Sequence, residues 1–225
     1  MAVAFDAKMT GGNGVGGTYA EGASAIALSG MTAGVSATCL VVTIHWVSAV
    51  TSPSCTWAAQ TMTLAGPATS TIETAIFWVT NPTTGAQNIT PTWTGGGTAY
   101  VSAVSFTGTD TTTAVKAADN ITATAVEQIA VTSGLNDATV AAYTNDGTPP
   151  ATNFNSIFVG SDLSQNGAAS YQLGGSSNTH TFGSGGGNRA LVGVHVVAPA
   201  VSTTPWGWNQ PFSQPNNDSI GIIAN

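Results

Sequence analysis

Glycine, proline, asparagine and serine interrupt this chain every ten residues or so, and Thr, Val, Ile, Ala and aromatic residues fill the segments between. That rhythm leaves little room for helix. No long stretch repeats apolar residues at three-and-four spacing, and the good helix formers Glu, Lys, Arg, Leu and Gln are scarce. β-Branched and aromatic residues suit a pleated, half-buried surface. Short apolar segments with turn residues between them predict an all-β protein, an antiparallel β-sandwich of jelly-roll or immunoglobulin-like topology. The expected organisation is a flexible glycine-rich N-terminal arm over 1–18, a sandwich domain over 19–199 and an extended C-terminal arm over 200–225.

The strands are expected at 17–28, 36–48, 55–64 and 72–80. Two more, 87–94 and 98–107, flank the Gly95-Gly96-Gly97 run and read as a hairpin. Residues 109–120 read as a loop. Strands follow at 127–132 and 138–143 about a Gly134 to Asp137 turn, then at 157–159, 168–173 and 179–182, and 188–197 closes the domain. In 36–48, Leu40, Val42, Ile44 and Trp46 form one strongly apolar face. The opposite face mixes Cys39, Val41, Thr43, His45 and Val47, which predicts a central strand. Trp46, Trp57, Trp78 and Trp93 are expected in the core. Cys39 and Cys55 are expected as two small buried hydrophobes rather than a disulfide.

Charge is rare. Three basic and ten acidic residues make 6% of the chain and leave a net charge of −7, where an ordinary domain carries about a quarter. Nucleic-acid binding needs clustered Lys and Arg on phosphates, and a polybasic membrane anchor needs the same. Lys8, Lys116 and Arg189 are too few and too scattered for either. The longest apolar run, near Cys39 to Val47, is broken by Thr43 and His45 and is short for a membrane span. The N-terminus lacks a long apolar core and carries Asp6 and Lys8, so no signal peptide is expected. Hydroxyls and amides desolvate more easily than ions, so a surface of this kind suits burial against neighbours.

No catalytic constellation is legible. There is no Gly-x-Ser-x-Gly elbow, and the glycine clusters at 11–17, 95–97 and 183–187 fall between strands rather than at strand-to-helix turns. His45, His180 and His195 stand apart, without metal-ligand spacing. Glu21, Glu73 and Glu127 form no special pair for acid–base work. Asp110, Asp119, Asp137, Asp146, Asp162 and Asp218 mostly fall in loops, where they suit calcium or Asx-turn capping, but no Asp-x-Asp-x-Asp cluster exists. Asn88, Asn120 and Asn217 match the glycosylation pattern, which is expected by chance in a chain rich in Asn and Thr. The expectation is no enzyme, no catalytic residue, no cofactor and no metal.

The last 26 residues hold one charge, Asp218, and three prolines, yet carry Trp206, Trp208, Phe212, Ile220, Ile222 and Ile223. A merely disordered tail is poor in such residues. Exposed aromatics anchor interfaces, so these six are the expected partner-docking residues.

The segments CTWAAQTMTLAG (55–66), TIETAIFWVTNPTTGAQNITPTWTGG (71–96), AYVSAVSFTGTDTTT (99–113) and RALVGVHVVAP (189–199) resemble a loose group of β-sandwich proteins of bacteriophages and bacterial genomes. The resemblance rests on Trp57, on Trp78 with Asn81-Pro82, on Trp93, and on Ser105-Phe106-Thr107-Gly108-Thr109-Asp110. It spans about residues 36–199. It implies a jelly-roll-like virion structural protein, a capsid decoration or cement protein or a tail or fibre component, assembled in the host cytoplasm. The expected partners are virion proteins such as the major capsid protein and other copies of the chain, since symmetric homo-oligomers, a trimer among them, are the default for such assemblies. Nucleic acid and membrane are not expected as partners. The second expectation is a carbohydrate-binding or adhesin module, with a glycan as ligand.

Overall fold

The computed structural model describes residues 1–14, 17–65, 72–95, 97–123, 128–145, 151–161, 166–183 and 189–200. It is all-β, with several antiparallel sheets packed in the manner of a sandwich. The strands are β1 (Ala4–Lys8), β2 (Ala20–Gly22), β3 (Leu28–Ala33), β4 (Cys39–Trp57), β5 (Gln60–Thr61), β6 (Thr63–Ala65), β7 (Ile72–Thr80), β8 (Gly85–Thr94), β9 (Ala99–Thr107), β10 (Val115–Ala123), β11 (Gln128–Thr132), β12 (Ala138–Asn145), β13 (Asn155–Ser161), β14 (Asn166–Leu173), β15 (Ser177–Thr181) and β16 (Arg189–Val196).

They stack in four layers. The first inner sheet runs β1-β9-β4-β7-β6, with β2 beside β1 on the same edge of β9. The second inner sheet runs β10-β16-β12-β14-β13. Outside the first lies a layer of β3, β8, β5 and the C-terminal part of β4. Outside the second lies the β11–β15 ribbon. Both inner sheets are covered on two faces, so β12 is buried throughout and β9 at eight of nine positions. Strands sealed on both faces lose the polar–apolar alternation of half-exposed ones. That explains the uncharged runs AYVSAVSFT and ATVAAYTN.

The expected apolar face of β4 packs outward. Leu40, Val42, Ile44 and Trp46 meet Met31, Trp57, Met62, Phe77 and Ile89 in the first core. Its mixed face turns to the second inner sheet. There Cys39, Val41, Ile76, Val104 and Phe106 meet Val140, Ala142, Ala169, Val192, Val194 and Val196. A smaller core of Ile129, Ala141, Tyr143, Ala168, Phe182 and Leu191 joins the second inner sheet to its ribbon. Trp46, Trp57 and Trp93 are buried as expected, and Trp78 packs partly buried against the core between the inner sheets.

The two halves share one topology. The inner orders match strand for strand: β1 with β10, β9 with β16, β4 with β12, β7 with β14 and β6 with β13. The outer pair β3–β8 corresponds to β11–β15. Even the irregularities coincide. One extra residue interrupts β1 between Phe5 and Ala7 opposite β9, and one interrupts β10 between Val115 and Ala118 opposite β16, a β-bulge at the corresponding place in each. The corresponding faces of the two inner sheets pack on each other, and β4 and β12 run the same way. The halves are thus related by an approximate two-fold axis along the strands, as in an isologous dimer.

Several expected boundaries shift. Residues 4–8, assigned to the flexible arm, form β1, because their backbone completes the open edge of β9. The strand expected at 17–28 reduces to β2, and the chain pairs again only at β3. The loop expected at 109–120 gives way to β10 from Val115, which covers the edge of β16. The hairpin expected about 95–97 does not form. Instead β8 pairs with β3 and β4 while β9 pairs with β4, β1 and β2, so the turn carries the chain between layers. The turn expected near Pro53 is a bend within one 19-residue strand, with Ser52 at a φ of 50°. Before the bend β4 pairs with β7 and β9, and after it with β8 and β5. Cys39 and Cys55 therefore lie in different cores and are free thiols.

Candidate functional site

The six expected docking residues, Trp206, Trp208, Phe212, Ile220, Ile222 and Ile223, lie outside the described residues. The described chain runs to Ala200. The Ala198 N–H donates to Asp137 Oδ1 at 2.7 Å, and the Asp110 N–H donates to the Val197 carbonyl, also at 2.7 Å. These contacts fix the point from which the C-terminal segment departs. It is the end of the molecule where β4 and β12 begin.

Two turns of the same build form that end. In Gly34-Val35-Ser36-Ala37 the Ala37 N–H donates to the Gly34 carbonyl, and in Gly134-Leu135-Asn136-Asp137 the Asp137 N–H donates to the Gly134 carbonyl, each at 3.1 Å. An aspartate holds the first N–H of each turn. Gly34 N donates to Asp6 Oδ2 at 2.9 Å, and Gly134 N donates to Asp137 Oδ2 at 2.7 Å. A side chain from the corresponding strand reaches the same oxygen in each half. Ser105 Oγ of β9 donates to Asp6 Oδ2 at 2.6 Å, and His195 Nε2 of β16 lies 2.7 Å from Asp137 Oδ2. In the first half the carboxylate comes from the β1 bulge, in the second from the turn itself. Partial burial works to raise the Asp137 pKa, but the Ala198 N–H, His195 and the Gly134 N–H outweigh it and hold the carboxyl below its ordinary range.

So firmly held, each turn presents an aliphatic side chain to solvent: Val35 is 92% exposed and Leu135 80%. Met1, 84% exposed, is at the same end. The Val3 N–H donates to the Asn136 carbonyl at 2.7 Å. Gly108 adopts φ 68°, and a Cβ there would stand 2.3 Å from the Ala2 carbonyl oxygen, so only glycine lets the N-terminus lie across this end. Asp110, one of the candidate calcium ligands, accepts from the Thr112 and Thr113 N–H groups at 2.8 Å. These bonds, Thr113 first, lower its pKa, which is the Asx-turn role. The side chain of Asp119 and residues Asp146, Asp162 and Asp218 lie outside what is described. Among the described residues no group of three or more His, Cys, Asp or Glu is placed to hold a metal.

The histidines line the packed layers. His45 faces the second inner sheet, with Nδ1 3.0 Å from Thr144 Oγ1, and Thr144 also bonds Thr74. The His45 ring lies edge-on to Phe158, and its Nε2 has no hydrogen-bond partner among the described residues. Burial pushes its pKa down to about 3, against a smaller opposing effect of the Tyr143 backbone. His180 of β15 bonds Thr139 Oγ1 through Nε2 and Ser170 Oγ through Nδ1, both at 2.8 Å, and burial lowers its pKa to about 4. Asn178 completes the group, donating to Thr139 Oγ1 at 3.2 Å and to the Gly174 carbonyl at 2.8 Å. Both imidazoles are neutral and their hydroxyl partners fully buried, so these groups suit layer packing rather than nucleophilic attack on a solvent-borne substrate. Burial also raises both thiols, that of Cys55 to about 12, which makes them poor nucleophiles.

A surface depression of about 220 Å³ lies between the Thr10–Gly11 segment, β3 and the start of β8, and none of the residues lining it is charged. No helix of the described residues is long and apolar enough to cross a membrane. No protein-family model, curated protein or solved structure matches the chain.

The Gly134–Asp137 turn was expected from sequence; its counterpart at 34–37 and the pairing of the two were not. Their signal was nonetheless present: Thr32-Ala33-Gly34-Val35 and Thr132-Ser133-Gly134-Leu135 stand 100 positions apart.

Proposed function

We propose that this chain is a non-enzymatic structural component of a virion, most simply a decoration or cement protein of a phage head that holds neighbouring subunits together. The observation that carries the reading is the pairing of a charge-poor chain with two rigid turns whose apices expose Val35 and Leu135. Contact with a neighbour would bury these side chains at a gain of about 25 cal/mol per Å². The resemblance of residues 36–199 to phage β-sandwich proteins supports the same reading. The C-terminal segment with Trp206, Trp208, Phe212 and the isoleucines 220, 222 and 223 supplies the second adhesive element, and its docking on another copy makes a homo-oligomer. Capsid protein is the natural second partner.

Size-exclusion chromatography with light scattering tests it. The full chain is expected as a defined multimer, and a chain ending at Ala200 as a smaller species. The same number of copies for the two would refute the role of the segment. The alternative reading, a carbohydrate-binding or adhesin module, draws on the hydroxyl-rich, uncharged depression beside β3. Selective binding of the monomer on a glycan array would favour it.

A further inference from the structure

We infer that the two-fold-related turn tips, Val35 and Leu135 together, are the acceptor site for the C-terminal segment 206–223 of a neighbouring copy. The inference rests on the assembly reading above and adds to it the surface on which the segment sits.

The two halves of the molecule have diverged in their interiors. The outer-facing core of the first holds Trp46, Trp57 and Trp93, and that of the second holds His180, Thr139 and Ser170. Yet at the corresponding turn both keep the same local design. A glycine N–H is fixed by an aspartate, the i to i+3 bond is closed, and a large aliphatic residue stands at the apex. Folding does not require that residue, since at 92% and 80% exposure it packs on almost nothing within the chain. One exposed aliphatic residue is ordinary on a protein surface; its recurrence at both two-fold-related turns, each braced by an aspartate, is the observation that points to a shared contact.

The geometry suits the segment. Each apex lies where the chain passes from an outer layer to an inner sheet, and packed layers are about 10 Å apart, so the two apices stand roughly 20 Å from each other. The segment carries two apolar groups, Trp206 to Phe212 and Ile220 to Ile223, joined by a polar stretch with Pro215. That stretch spans about 25 Å when extended, at roughly 3.4 Å per residue, so each group can cover one apex. The described chain ends at this same face, at Ala200, with its last anchored residues bonded to Asp110 and Asp137. Two copies meeting tip to tip therefore place each segment within about 20 Å of the other's apices. The segment itself adds one charged side chain, Asp218, and at the receiving end the Asp6, Asp110 and Asp137 carboxylates are each turned onto backbone N–H groups.

The test compares three full-purity samples by light scattering and sedimentation: the full chain, the chain ending at Ala200, and the full-length double variant Val35→Asp with Leu135→Asp. Both substituted positions are exposed turn apices, so the far-UV spectrum and melting temperature of the variant are expected to match the parent. The milder pair Val35→Ser with Leu135→Ser serves if they do not. The double variant is expected to dissociate at least about a hundredfold more readily than the parent, as the loss of two buried aliphatic side chains implies, and to match the truncated chain in the number of copies per particle. If truncation reduces the number of copies while the double variant keeps the parent's, the segment docks elsewhere and this inference falls, with the assembly reading intact. If truncation itself changes nothing, the assembly reading falls first.

Discussion

The first half of the molecule is held by tryptophan and the second by hydroxyls and imidazole. Both halves fold by the same strand order and carry the same bulge, yet their interiors have little in common. Between β4, β7, β9 and the first outer layer lie Trp46, Trp57, Trp93, Phe77, Met31 and Met62, with no histidine among the described core residues. Between the second inner sheet and the β11–β15 ribbon, a small apolar cluster is joined to the group of His180, Thr139, Ser170 and Asn178. What the halves share is the framework: turns, bulge and edge cover. Core chemistry has varied within it, as tolerance of well-patterned cores to substitution allows. The consequence is an uneven response to stress. An apolar core is indifferent to pH, whereas a core closed by neutral imidazoles is not.

Acid should expose that difference most strongly. His45 and His180 have folded pKa values of about 3 and 4, below the ordinary 6.5. The unfolded chain therefore binds more protons as the pH falls. The stability these groups permit is complete above about pH 6.5 and is lost as the pH drops toward the folded values, at about 1.4 kcal/mol per pH unit for each histidine. Denaturant unfolding between pH 7 and 4 should show several kcal/mol of loss, and His180→Asn should reduce the slope by roughly half. His45 lies on β4 and faces the core between the inner sheets, so the contrast between the halves rests on His180; an unchanged slope in His180→Asn would remove it. Hydrogen exchange at pH 4.5 sharpens it: amides of β11 and β15 should open before those of β3 and β8.

Trp57→Ala attacks the other side of the comparison. Trp57 is fully buried, and its Nε1 donates to the Thr83 carbonyl at 2.8 Å. Its loss should cost about 3–5 kcal/mol in chemical denaturation, independent of pH. The smallest effect expected is at the turns. Asp6→Ala and Asp137→Ala should each cost about 1–3 kcal/mol by leaving a turn N–H unmet. Asp137→Ala should cost the more, because Asp137 also accepts from Ala198 and bonds His195. Its contribution is present above the unfolded carboxyl value of 3.8 and is lost as the pH falls through the lowered folded one. Equal costs for the two aspartates would show that these further contacts add little.

Sequence made the all-β class legible, because punctuation and composition act locally. The burial of Trp46 and the central place of β4 followed from alternation at Leu40, Val42, Ile44 and Trp46. What it hid is non-local. Alternation about Gly95–Gly97 says that two strands flank a turn, not that they enter different layers. β10 begins Val-Lys-Ala-Ala-Asp-Asn and reads as a loop, yet it forms because the edge of β16 needs a partner. The bend at Ser52 and Pro53 has turn chemistry but keeps its pairing on either side. The likeness of the halves left almost no residue signature, since Ile89 of β8 and His180 of β15 occupy corresponding buried places with unlike side chains. The expected docking residues after Ala200 were legible only as composition.

Quantitative mass spectrometry of purified particles from the source that encodes this chain tests the central claim most directly. The account predicts the chain in intact particles at a fixed ratio to the major capsid protein, released together with heat stability of the head. Particles that lack the chain while it accumulates free in the lysate would contradict it.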